Sequence, residues 1–185
     1  MGNRIFFDSN ASVGKSGYKH RLQMWRTEDI VGEMDRSGIA AAPVYHGLAK
    51  SHSPLYGNRL LASELAKSSK LHGCWIALPE HAGDFMSPHA MLGEMEQHGI
   101  GAVKIFPNRH QYDPNQRTAG PLFSALEQKR IPLLVDASEM TFEQLADVLS
   151  HHSELTILLQ NLSWSQERRL FPLMDQFETL CIEFS

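Results

Sequence analysis

The chain has only two cysteines, Cys74 and Cys181. They stand far apart, each within an apolar run. That excludes a disulfide framework and predicts two reduced, buried thiols in a cytoplasmic protein. Long apolar runs are also missing: none approaches the roughly 20 residues that a membrane-spanning helix needs. The N-terminal MGNRIFFDSN reads as a strand, not as the apolar core of a signal peptide. Gly2 follows Met1, but Phe6 stands where a myristoylation signal has Ser or Thr. Charge of one sign is not in excess either. A formal net charge of -4 and a pI near 6.2 leave no electrostatic footprint for nucleic acid or an anionic membrane, so neither is expected as a partner. There is no internal repeat, low-complexity tract or interdomain linker. What is present is ordinary globular material: 185 residues, 42% hydrophobic and 21% charged. That suffices for a single domain over residues 1–185 with a sizeable core.

The hydrophobic pattern alternates between two periods. Strand-like apolar runs cover residues 4–10, 39–47, 71–79, 100–107, 131–138, 155–161 and 179–185. Helical stripes fall between them at 27–38, 53–70, 87–99, 120–130, 141–153 and 163–177. Thr27 and Thr141 read as N-caps, Gly38 and Gly99 as helix stops, and Pro172 as a kink or restart. Pro43 sits awkwardly within the second strand. Short apolar strands alternating with helices predict an α/β fold with parallel strands. Polar residues gather at the C-terminal ends of those strands: Asp8 and Asn10, Tyr45 and His46, Lys104, Asp136 and Ser138, Gln160 and Asn161, Glu183 and Ser185. The long loops, 11–26 and 108–119, follow strands as well. Both features predict a TIM-like (β/α) barrel with its functional mouth at that rim. About seven strands are present where a closed barrel has eight. The expectation is therefore an incomplete barrel, C-terminally truncated, with the last stave missing or supplied by a second copy or a partner chain.

The stretch VGKSG, residues 13–17, invites comparison with a nucleotide-binding loop. Such a loop needs Gly at position 9 to cradle phosphate, and Ser9 stands there. No helical stripe follows at once. The glycines are explained by a turn.

The ensemble of FFDSNAS, GAVKIFP, RIPLLVDAS, ELTILLQN and ETLCIEFS, with the helix start GPLFSALEQKRIP, resembles the amidohydrolase-related (amidohydrolase 2) TIM-barrel family of metal-dependent hydrolases and decarboxylases. The resemblance spans the whole chain, and no single motif carries it. It implies a hydrolase with its site at the C-terminal mouth. In metal-binding members the first strand carries Asp-x-His-x-His; this chain has Asp8-Ser9-Asn10-Ala11-Ser12. Asp136 and Asn161 stand where the family has His on the fifth and sixth strands. The Asp of the eighth strand falls beyond residue 185. The metal site is thus degenerate. Imidazole and thiolate hold catalytic zinc, whereas Asp8, Asn10, Asp136 and Asn161 form an all-oxygen set. No cofactor is expected; a cation, if held, would be Mg²⁺ or Ca²⁺ sooner than zinc.

The residues themselves suggest a site. Strand alternation gives Asp8, Asn10 and Ser12 one direction, Lys104 and Phe106 another, and Asp136 and Ser138 a third. Lys104 and Asp136, on adjacent strands, are expected to form an ion pair. It is either a structural neutralisation or a catalytic pair, with Asp136 as general base and Lys104 steadying an oxyanion. Those two roles oppose each other, because a cation beside a carboxylate lowers its basicity. Arg109 and His110 are candidates for holding a substrate carboxylate, and His46, Asn161, Asp8, Asn10 and Ser12 for lining the pocket. Ser12 lacks a neighbouring base that would make it a nucleophile. Trp164 walls the pocket or packs the rim. His20, His52, His89, His98, His151 and His152 read as surface residues. Three functions remain open: a metal-independent hydrolase of a small carboxylated, amide or lactone-like substrate; a non-catalytic protein binding a small molecule or a partner subunit; and metal catalysis through oxygen ligands.

Overall fold

The computed structural model describes residues 6–17 and 24–184. Arg4, Ile5, His20 and Ser185, drawn into the sequence reading above, lie outside the described residues. The chain forms two compact units. The first comprises Met1–Ile76 with Gln97–Gly101, the second Ala77–Glu96 with Ala102–Ser185.

In the first unit, β3 (Ile39–His46) is the central strand. Two very short strands, β1 (Phe6–Phe7) and β2 (Ala11–Val13), pair with it in parallel on one side. On the other side runs β4 (Leu71–Ile76), also parallel. The single strand expected over 4–10 is therefore corrected: it breaks after Phe7 and resumes at Ala11. Pro43 gives the reason. The Ala42 N–H donates to the Lys70 carbonyl, on the β4 side (2.9 Å). Backbone groups alternate sides along a strand, so residue 43 faces β1 and β2, and proline has no N–H to offer there. Pairing to β3 stops at Ala41 and resumes at Val44. Asp8, Ser9 and Asn10 bridge the gap as a bend, with the Asn10 N–H donating to Asp8 Oδ1 at 2.9 Å.

Three helices belong to this unit: α1 (Thr27–Ser37), α2 (Gly47–Ser51) and α3 (Pro54–Leu65). Helix α2 has no counterpart among the helical stripes of the sequence. Thr27, expected as a cap, is instead the first helical residue. It is fully buried, and its hydroxyl donates to the Glu64 carboxylate on α3. Met34, Ala42, Val44, Leu61 and Ile76 are buried here.

The second unit repeats strand and helix more regularly. Its helices are α4 (Pro88–Gln97), α5 (Gln116–Lys129), α6 (Phe142–His151) and α7 (Glu167–Gln176). Its strands are β5 (Ile100–Ile105), whose first two residues fall in the first unit, then β6 (Leu133–Asp136), β7 (Ile157–Leu162) and β8 (Leu180–Phe184). They pair in chain order, all parallel. Strands buried on both faces account for their continuous apolar texture. Ile105, Leu133, Val135, Ile157 and Leu159 are at most 3% exposed.

Capping sets the helix starts. Asn115 accepts the Thr118 N–H (3.0 Å), so α5 begins before residue 120 and shortens the loop expected over 108–119. Thr141 and Gln144 form a reciprocal capping box at α6. Pro172 lies inside an unbroken α7; the irregularity falls earlier, in a 3-10 turn over Trp164–Gln166. No helix among the described residues is long and apolar enough to cross a membrane.

Candidate functional site

Three strand ends of the second unit converge on one buried cluster. Lys104 pairs in register with Leu134, and Asp136 with Gln160. Alternation then puts Lys104, Leu134, Asp136 and Gln160 on one face, with Asp136 one step beyond Lys104 toward the C-terminal ends. The lysine stem spans that step. Its ammonium donates to Gln160 Oε1 at 2.7 Å and lies 3.3 Å from Asp136 Oδ1, with the Phe106 ring 5.2 Å away. Lys104, Asp136 and Gln160 are 1%, 6% and 0% exposed. Burying an ammonium is costly unless a counter-charge and hydrogen bonds replace its water, and here both are supplied.

Asn161 should not reach this cluster. In a regular strand it would point away from the face that Gln160 occupies. Yet the Asn161 side-chain amide donates to Asp136 Oδ1. A bulge explains it. On β7, two residues, Gln160 and Asn161, lie between the pairs Leu159↔Ile182 and Leu162↔Phe184; on β8 only Glu183 does. Asn161 takes a left-handed conformation (φ 56°), which asparagine tolerates better than most residues. Its N–H donates to Glu183 Oε2 at 3.0 Å, which pins the bulge. Consecutive side chains thus serve one cluster, and Asn161, itself exposed, links the cluster to solvent.

The loop after β5 is tied to the turn after β6. The Arg109 N–H donates to Glu139 Oε2 (3.1 Å), and Asn108 Nδ2 to the Ser138 carbonyl (2.6 Å). Glu139 is buried, 9% exposed, and goes unnoticed in the sequence because DASEM reads as a plain turn. The Tyr112 hydroxyl is buried and has no hydrogen-bond partner among the described residues, and burial together with the Glu139 charge raises its pKa. Arg109 is exposed. His110 is half-buried, its ring edge-on to Phe106 with centroids 6.0 Å apart.

The remaining candidates belong to the first unit. Asp8, Asn10 and Ser12 are half-buried; the first two sit in the bend, so the shared strand direction expected for the three is lost. His46 is buried and caps α2: its Nδ1 accepts the Leu48 N–H at 3.2 Å. Desolvation lowers its pKa, and the nearby Glu64 charge opposes this. Gly14, at φ 72°, packs against the imidazole so closely that a Cβ there would stand 2.1 Å from Nε2. Two of the VGKSG amides are engaged within the protein. Gly14 N–H donates to the Trp25 carbonyl (2.8 Å) and Gly17 N–H to Ser51 Oγ (2.7 Å). Lys15 lies over the Trp25 ring.

The donor set does not fit zinc. Asp136 already meets an ammonium and an amide, and a metal there would face the charge of Lys104. Among the described residues, no three His, Cys, Asp or Glu side chains gather as a metal site.

No family model matches the chain, and no curated protein matches it. Solved structures do. An uncharacterised TIM-barrel protein from Bordetella bronchiseptica is 17% identical, with a TM-score of 0.67, over 84% of this chain and 58% of that one. Dihydroorotase from Campylobacter jejuni is 13% identical, with a TM-score of 0.64, over 96% of this chain and 52% of that one. Amidohydrolase 2 from Bifidobacterium longum subsp. infantis is 10% identical, with a TM-score of 0.63, over 97% of this chain and 73% of that one. The chain thus spans little more than half the length of the first two. At such identities the likeness is one of fold alone: α/β with parallel strands, similar to TIM-barrel proteins.

Proposed function

We propose that the chain is an amidohydrolase-like hydrolase working without metal on a small carboxylated, amide or lactone-like substrate. One observation carries the reading. The Asp136 carboxylate lies at a strand end between a wholly buried ammonium and the solvent-exposed Asn161 amide. In parallel α/β folds, chemistry is placed at the C-terminal ends of strands. The substrate carbonyl is approached past Asn161. Asp136 takes a proton from water as that water attacks, and returns it to the leaving nitrogen or oxygen. Lys104, buried beside Asp136, does not meet the substrate; it holds the carboxylate in place.

The test is hydrolysis by protein dialysed against a chelator, assayed on a panel of small amides and lactones. Wild type should turn over at least one. Asp136→Asn should lower kcat/KM by about 100-fold or more, the scale of a lost general base. An undiminished rate in that variant removes Asp136 from the chemistry.

A second reading has its own observation. Lys104 is satisfied by Asp136 and Gln160, and Asp136 by Lys104 and Asn161, so internal neutralisation alone explains the burial. The protein would then bind a small molecule or a partner subunit without turnover. Thermal stabilisation by small carboxylates, with no product formed, is the result that reading requires.

A further inference from the structure

His46 belongs to a closed circuit of contacts at the end of β3, all within the first unit. Its Nδ1 caps α2 by accepting the Leu48 N–H (3.2 Å). Ser51, the last residue of α2, accepts the Gly17 N–H on its Oγ (2.7 Å). The same hydroxyl donates to the Gly47 carbonyl at the start of that helix (2.9 Å). From Gly17 the loop leads back to Gly14, which packs on the imidazole. A Cβ at Gly14 would overlap Nε2, Cδ2 and Cε1. The loop thus covers the ring that caps the helix that tethers the loop.

The circuit requires a neutral imidazole. A proton on Nδ1 takes away the lone pair that the Leu48 N–H needs. It also charges a ring that is 5% exposed, which is costly without a counter-charge. Burial already lowers this pKa, with the Glu64 charge opposing. The charged or titratable groups on the neighbouring elements are Lys15 on the loop, Lys50 and the capping His52 on α2, and Glu64 on α3. The Lys15 ammonium lies over Trp25, and Glu64 is taken up by Lys67 (2.8 Å) and Thr27. Among the described residues no carboxylate is bonded to the imidazole. A five-residue helix has little stability of its own once its cap is lost.

We infer that His46 is a pH-sensitive latch: on protonation its imidazole lets go of α2 and turns to water, and the loop 14–17 lifts from Ser51. The inference does not depend on the chemistry proposed for Asp136. Its direction follows from linkage. The released ring titrates near the ordinary value of about 6.5 and the latched ring below it, so release gains as the pH falls from there.

Amide exchange of the full chain, followed by NMR between pH 7.5 and 5.5, reads the latch. Protection of Gly17 and Leu48 should fall below about pH 6.5, by at most about tenfold per pH unit, the limit for one proton. Urea well below the unfolding midpoint should leave that protection unchanged, as for a local opening. His46→Asn, which can still cap α2, should remove the pH dependence, and His52→Asn should keep it. Ser51→Ala should expose Gly17 at every pH. Constant protection in wild type overturns the latch, as does a fall that survives His46→Asn or vanishes in His52→Asn. So does an opening that urea promotes, which is global unfolding, or Gly17 protection that outlasts Ser51→Ala.

Discussion

Lys104 shows how much one buried charge depends on its partners. With Met in its place, Asp136 and Gln160 remain in the interior without the ammonium that justifies their burial. Lys104→Met should lower unfolding free energy by about 3–5 kcal/mol, the usual result of breaking a buried pair from one side. Urea denaturation measures it. Lys104→Met/Asp136→Leu should recover part of the loss, because it removes both charges.

His46 supplies a pH dependence at the same scale. Its lowered pKa arises from burial, and its Nδ1 accepts the Leu48 N–H only when unprotonated. The unfolded chain takes up a proton near pH 6.5 while the folded chain resists, so the folded state binds fewer protons and stability rises with pH. This contribution is complete above about pH 6.5 and is lost as the pH falls from there through the lowered folded value. Urea midpoints taken between neutral and mildly acidic pH should fall in wild type. In His46→Asn, which can still cap, that part of the slope should vanish.

At the scale of elements, the bulge in β7 is the feature on which the cluster turns. Asn161 to Gly and Asn161 to Ala both lose the amide that meets Asp136, but only Ala must also be forced into a left-handed backbone. The Ala variant should be less stable than the Gly variant by about 1–2 kcal/mol, read from paired urea titrations. The opposite order would show that the bulge relaxes when its side chain is lost. This feature also marks where the sequence stops being legible. Lys104 and Asp136 announce themselves as charges ending apolar runs, and their pairing follows from adjacent strands. A choice between Gln160 and Asn161 follows from alternation; their joint use does not, because nothing in LLQNL signals an extra residue. Asp8 and Asn10 fail for a related reason. The run FFDSN alternates well, but what decides its pairing is Pro43, on another strand. Glu139 hides because burial of a turn carboxylate depends on a loop 30 residues away.

At the scale of the whole molecule, two exposed apolar residues stand at one end of the strand order. Phe6 and Phe7, on β1, are 54% and 69% exposed. Short apolar edges invite pairing with another copy, and a lysine there is how natural sheets discourage it. Phe7→Lys should raise the concentration at which the protein begins to self-associate, as followed by light scattering. An unchanged onset would place the sticky surface elsewhere.

The three tryptophans are unevenly shared. Trp25 and Trp75 belong to the first compact unit, and Trp164 is the sole indole of the second. Once Trp25 and Trp75 are replaced by phenylalanine, all emission excited at 295 nm comes from one solvent-facing ring. The chain then carries a native optical reporter confined to its C-terminal half, and comparison with backbone dichroism shows whether the two halves melt together.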